Sequence, residues 1–304
     1  MKIIKAGIYR DVSDADYRAD LCPLPSLTQS LCKIIIERSP RHAWTVHPRL
    51  NGDWLPGDDT KFDLGNVVHK LVLGRGKDFT VLDCDSWRTN AAKLARDEAA
   101  QAGKIAVLVA DFERASNMAQ ATFRQIAKHE DSSAFTNGAA EVVIAWEEDG
   151  IWFRSVIDWL HDDLRTVDDF KSTGMSVAPH VLGIRAEAAG WDIQAAFIER
   201  GLDVLDPVGA GRRQFRFIAQ ETDEPHALSV MHMDERWLTM GRKKVQHAVD
   251  RWSSCIRNGT RQSSWPGYPN RSITPNYPGY KENQWLQREM AEAIENDPSL
   301  IMAG

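Results

Sequence analysis

The sequence predicts an α/β fold, a single domain with helical additions at both ends. Three observations predict it. Segments of helical period alternate with short β-branched runs such as "FTVLD" (79–83) and "IAVLVA" (105–110). The stretch 141–173 then reads as an antiparallel meander, with turns at Glu148-Asp149-Gly150 and His161-Asp162-Asp163. At 304 residues, 43% of them hydrophobic, the chain can bury a sizeable core.

Residues 1–20 are expected to be extended or loosely ordered. "PSLTQSLCKIIIERSP" (25–40) reads as a helix capped by Ser26 or Thr28, with Leu31, Ile34 and Ile35 on one face and Pro40 as its stop. Residues 50–62 form a turn-rich loop. "DLGNVVHKLVLG" (63–74) is a short helix, apolar at Leu64, Val67, Val68 and Leu71, ending at Gly74. Strong helix formers fill 86–104, and 111–130 is amphipathic. After the meander, 177–205 is helical around a break at Gly190. A strand follows at 214–222, then a long helix at 233–259. A Pro/Gly/Tyr-rich stretch leads to a short helix at 283–295. No internal repeat or clear linker divides the chain. Residues 1–304 are therefore read as one domain, its core at about 60–225 and a helical extension at about 226–304.

Charged residues make up 26%, an ordinary figure for a soluble globular protein. No apolar run is long enough for a transmembrane helix, so no membrane partner is expected. The start turns polar too early for a signal peptide. Cys22, Cys32, Cys84 and Cys255 are scattered, which points to a reduced cytoplasmic compartment and away from zinc or an iron–sulfur cluster. A net charge of −6 does not favour loose binding to nucleic acid, but 37 Lys and Arg leave room for a local basic groove. No Gly-x-Ser-x-Gly motif appears, and no cysteine has a nucleophile's context. "GAGRR" (209–213) lacks the setting of a nucleotide loop.

The chemistry concentrates in "TVDDFKSTG" (166–174). Strand positions two apart share a face, so Asp169 and Lys171 project together and Phe170 points into the core. Asp158, on the preceding strand, approaches Asp169 across the turn, and Glu141 begins the meander. Carboxylates gathered on one face repel unless a positive charge sits among them. Mg²⁺ (or Mn²⁺), a hard cation with oxygen ligands, suits that place. Lys171 beside it suits phosphodiester hydrolysis, by orienting or deprotonating water or by neutralising charge on phosphorus. An Asp-x-Lys pair alone is ordinarily a solvated strand face; Asp158, Glu141 and Phe170 together favour the functional reading. Asp168, on the opposite face from Asp169, is expected to be a solvated or turn residue.

Asp158 followed by Asp169-Phe170-Lys171, with Ser172-Thr173 after them, resembles the PD-(D/E)xK nuclease superfamily. "LGNVVHKLVLG" looks like its upstream helix, which brings His69 near the metal, and "WDIQAAFIERGL" resembles its downstream helix, with Gln194 as the polar residue. "PSLTQSLCKIIIERSPRHAW" and "DSWRTNAAKLARDEAAQAGKIAVLVAD" look like RecE-like phage and prophage exonucleases, so the resemblance covers about 20–225. It departs at Ile198, where the family usually has Tyr, and at Val156, where an arginine is common.

The resemblance implies a restriction-endonuclease-like core, a mixed central sheet flanked by helices. Asp158, Asp169 and His69 would ligate Mg²⁺ or Mn²⁺. Glu141 would hold a metal-bound water, and Gln194 would bond Lys171 or the scissile region. The implied activity is 5′→3′ exonucleolysis at double-stranded DNA ends, in a bacterial or phage-infected cytoplasm. Implied partners are a single-strand annealing protein and further copies of the chain in a ring. A RecB-like single-strand or structure-specific nuclease is the alternative enzyme. A catalytically silent DNA-binding protein is the non-enzymatic one, which the intact Asp158, Asp169 and Lys171 oppose. For DNA binding, Arg242, Lys243 and Lys244 with Arg251 (and Arg257) form a candidate phosphate stripe, against the plainer reading of a solvated helix face. Arg212, Arg213 and Arg216 are similar candidates.

Overall fold

The computed structural model describes residues 5–55 and 64–296. The end of the turn-rich loop predicted at 50–62 lies outside them. The N-terminal segment, expected to be extended or loosely ordered over residues 1–20, forms strand β1 (Gly7–Tyr9) and helix α1 (Asp14–Arg18), and strand β2 (Ser26–Leu27) occupies the start of the stretch read as a helix over 25–40. Thr28 caps α2 (Gln29–Glu37) by accepting from the Leu31 N–H. Pro40 does more than end that helix. It is the first residue of α3 (Pro40–Val46), where its missing N–H costs nothing, and Ser39 caps the new helix.

Next come α4 (Leu64–Leu73), β3 (Phe79–Leu82), α5 (Asn90–Gln101) and β4 (Ile105–Leu108). β3 and β4 pair in parallel, with α5 as their crossover. The run "IAVLVA" changes state midway, because Val109 already begins α6 (Val109–Ile126). The meander is as predicted: β5 (Gly138–Glu148), β6 (Ile151–His161) and β7 (Thr166–Thr173). Then follow α7 (Pro179–Ala189), α8 (Trp191–Leu205), β8 (Gln214–Glu221), β9 (Leu228–His232) and α9 (Glu235–Asn258). The sequence reading did not identify β9. It is a short, half-exposed edge strand held by its antiparallel ladder to β8.

The main sheet runs β1-β5-β6-β7-β8-β9, with β2 pairing β6 on the side. It is mixed: β7 and β8 are parallel, β5, β6 and β7 antiparallel. Trp146, Phe153, Phe215 and Phe217 face α2, α8 and α9 in the larger core. Phe170 and Ile218 face α4 and α6 in a second core on the other side. The sheet is thus covered by helices on both faces.

The chain divides into two compact units, Met1–Gly267 and Tyr268–Gly304. The boundary therefore falls later than the predicted extension at 226, because α9 buries Leu238, Val245, Ala248 and Trp252 in the core of the first unit. The second unit carries α10 (Gly279–Asn296), none of whose residues is buried. Among the described residues no helix is long and apolar enough to cross a membrane.

Candidate active site

The site forms where the sheet loses its regularity. Glu141 on β5 stands opposite Asp158 on β6, at the one place where their long ladder is interrupted. Glu141 has φ +50° there, a conformation L residues seldom adopt. Both strands change phase at this point. Val142 and Ile157 face the larger core, whereas Ala140 and Trp159 face the second one. Holding a bulky residue in that region costs about 1–3 kcal/mol, and such strain gathers at working sites.

One strand further, β6 and β7 part. They pair only at Trp159↔Asp168 and Leu160↔Val167, while β7 pairs with β8 along its whole length. Beyond the fork, the Phe170 N–H has no strand partner on β6 and donates instead to Asp158 Oδ2 at 3.0 Å. Phe170 itself is buried, as predicted. Asp169 and Lys171 share the opposite face, with Lys171 Nζ 2.6 Å from Asp169 Oδ1.

α4 buries Val67, Val68, Val72 and Leu73 and so turns His69 toward the fork. His69 Nε2 lies 3.3 Å from Asp158 Oδ2, and its Nδ1 lies 3.9 Å from Glu141 Oε1. Gly76 borders this contact, and its φ of +128° is a conformation that favours glycine. On the other side, Gly190 (φ +79°) breaks α7 from α8. Trp191 then stacks on Phe217 at 4.9 Å, which fixes the phase of α8. Gln194 consequently donates to Asp169 Oδ2. Its partner here is the carboxylate, where the resemblance implied Lys171 or the scissile region; Lys171 has turned to the other oxygen of the same group.

The charges are interdependent. Burial, reinforced by the neighbouring Asp158, pushes the Asp169 carboxyl up to about 6. Burial alone would raise Asp158 too, but the His69 hydrogen bond and charge hold it below the usual carboxylate range. Burial works against charge on His69 and Lys171 as well. Asp158 outweighs it for His69, and Asp169 with Asp158 for Lys171, so both groups keep their protons to higher pH than usual. Burial raises Glu141. A cleft of about 410 Å³ opens over these groups, lined by Glu141, His69 and Lys171 and, at its walls, by Arg18, Asn66 and Lys77. Arg18 and Lys77 come from α1 and the loop before β3, far from the motif in sequence, and nothing in their local pattern marked them.

Among the described residues no three His, Cys, Asp or Glu side chains are disposed around one ion position. His69 and Lys171 instead supply the positive charge between the carboxylates. The donor chemistry nevertheless fits a hard cation. Two carboxylates crowd together, one with a raised pKa, and the buried Asp169 Oδ1 has an ionic neighbour but no aligned hydrogen bond.

Several basic candidates are committed elsewhere. Arg216 and Asp168, expected on the surface, are both buried and form a two-pronged ion pair with contacts of 2.5 and 2.9 Å. A charged residue inside the buried run "QFRFIAQ" was the available signal, since a strand cation in a core needs a partner. Arg213 is buried against Asp203 and the carbonyls of Leu202 and Asp206. Arg242 is held by Glu199 and Glu235, and Lys244 by Glu187 and Asp192. Their charge is already balanced, so the 241–244 cluster is not a bare phosphate stripe. Lys243, Arg251, Arg257 and Arg212 are exposed.

The fold is similar to a crystal structure of a "Putative exonuclease" from Eubacterium rectale. The TM-score is 0.55 at 14% identity, over 88% of this chain and 96% of that one. No curated protein matches the sequence. Residues 30–270, most of the chain, match the profile of the PDDEXK-like domain of unknown function (DUF3799), and on that match the protein belongs to the PDDEXK-like family and carries the fold of the PD-(D/E)xK nucleases.

Proposed function

We propose that the protein is a metal-dependent deoxyribonuclease, a 5′→3′ exonuclease that resects linear double-stranded DNA and leaves single strands for recombination. The observation that carries this reading is the meeting of Asp158, Asp169 and Lys171 where β6 and β7 part, under a cleft that also holds Arg18 and Lys77. Mg²⁺ or Mn²⁺, held by Asp158 and Asp169 with His69 beside them, would supply the Lewis acid that polarises the phosphate.

The chain's own side chains do the rest. Lys171, kept protonated by its carboxylate neighbours, sets a fixed positive charge beside the reacting phosphate. Gln194 holds Asp169 in place. Glu141 faces the cleft with a raised carboxyl, suited to exchanging a proton with water. Arg18 and Lys77 would meet flanking phosphates on either wall.

The duplex-end substrate and the polarity rest on the resemblance of the N-terminal segment to RecE-like exonucleases, as do an annealing partner and a ring of copies. The description of the Eubacterium rectale protein as an exonuclease supports exonucleolysis alone. The test is a time course on linear duplexes labelled at the 5′ or the 3′ end, with and without a 5′ phosphate, beside a closed circle. Early release of the 5′ label in Mg²⁺ or Mn²⁺, with the circle intact, is expected. Cleavage of the circle at a similar rate would make the protein an endonuclease, and no cleavage with either metal would end the nuclease reading.

A further inference from the structure

We infer that Asp168, locked by Arg216 and His161, is a positioning residue that holds the fork between β6 and β7 and thereby sets Asp169 and Lys171 in the cleft. The inference rests on the proposed role of those two residues as the reacting pair.

Asp168 sits at the last ladder position before the strands part, opposite Trp159 on β6 and in register with Arg216 on β8. Its carboxylate is fully buried and touches three other parts of the fold. Arg216 grips both oxygens. His161 Nε2, at the end of β6, lies 2.7 Å from Oδ2. The Phe135 N–H, in the loop after α6, donates to Oδ2 at 2.8 Å. Arg216 is anchored in turn by Ser133 and Asp131, and Asp131 Oδ2 lies 2.9 Å from His232 Nε2 on β9.

Alternation along β7 gives this clamp its effect. Asp168 and Phe170 face α4 and α6, so Asp169 and Lys171 must face the other way. Fixing Asp168 fixes the direction of its neighbours. Two carboxylates bracket the opening: Asp158 takes the Phe170 N–H beyond it, and Asp168 ties β6, β7 and β8 together before it. A buried, bidentate Arg–carboxylate pair is geometrically demanding. It is therefore suited to holding a strand where displacement of about 1 Å can cost about 100-fold in rate.

The test compares Asp168→Asn with the wild type and with Leu31→Ala, a buried change on α2 away from the fork, all assayed well below their melting temperatures. Asn keeps the shape and one acceptor but loses the charge that grips Arg216. Expected are a 10- to 100-fold fall in kcat with KM within about threefold, and faster amide exchange confined to 166–173, where the Phe170 N–H reports the fork. Leu31→Ala should do neither. Exchange across 166–173 matching the wild type, or a kcat loss equalled by Leu31→Ala, would overturn the proposal. Should Asp168→Asn not fold, Arg216→Lys, which keeps the charge and loses the two-pronged grip, takes its place with the same expectations. If the wild type cleaves no DNA, the nuclease reading fails while the exchange measurement still decides the fork.

Discussion

Lys171 lies 5.8 Å from the centre of the Phe217 ring and beside Asp169, so its ammonium is confined between an aromatic face and a carboxylate. Such a charge is already oriented before substrate arrives. Lys171→Ala should lower turnover by about 10²–10³ in protein that is still folded at the assay temperature and still binds Mn²⁺, read by calorimetry. Wild-type rates from that variant would reduce the lysine to a partner of Asp169. At this scale the sequence was informative where spacing decides: Asp169 and Lys171 share a face, and Phe170 is in the core. It misled at Asp168, because alternation says only that a side chain faces away from its neighbour. Whether that other face is water or core depends on α4 and α6.

Elements depend on contacts of the same kind. The N-terminal segment is fastened to β6 by Asp20, whose buried carboxylate accepts from the Ser26 N–H and hydroxyl. It also lies 2.9 Å from Arg154 Nη1 and 3.3 Å from His47 Nε2. Burial alone would raise the Asp20 carboxyl, but His47 and Arg154 hold it below its ordinary 3.8. A depressed folded-state pKa gives stability that is complete above the unfolded value and is lost as pH falls through the folded one. Asp20→Asn should therefore be destabilised by about 3 kcal/mol at neutral pH. The gap should close progressively below about pH 4, where the protonated acid resembles the amide. Urea melts from pH 7 to pH 3 measure this, and a constant gap across that range would refute it. The helices were legible where caps and periods coincide, as at Thr28 and Gly74. The short strands β1, β2 and β9 were not, since their partners are distant in sequence.

For the whole molecule, the balance of −6 matters less than where the cations are used. Arg213, Arg216, Arg242 and Lys244 are bound to carboxylates within the fold. Arg18 and Lys77 line the cleft, Arg18 pairing with the half-exposed Asp14, a contact that water screens. In a Lys171→Ala background, which should bind without cutting, Arg18→Ala with Lys77→Ala is expected to weaken duplex binding on every sequence alike. It should also reduce the salt slope by about two, one for each phosphate no longer neutralised. Arg242→Gln should leave that slope unchanged, because two carboxylates, the buried Glu199 among them, already hold its charge. Fluorescence anisotropy across a salt series distinguishes them, and a steeper loss from Arg242→Gln would place the DNA over α9.

By itself, the sequence determined the meander, the acidic pair with its lysine, and the helices carrying His69 and Gln194. These follow from period, capping and turn chemistry, all of which act over a few residues. Tertiary structure decided the rest. The phase change at Glu141 and Asp158 needs two strands to be seen, and the parting of β6 and β7 needs a third. The fate of each arginine depends on which carboxylate the fold brings to it, across 48 residues for Arg216 and Asp168 and 43 for Arg242 and Glu199. A charge in a sequence carries no sign of its partner: Coulomb attraction and desolvation act through space, and only the folded chain fixes the distances.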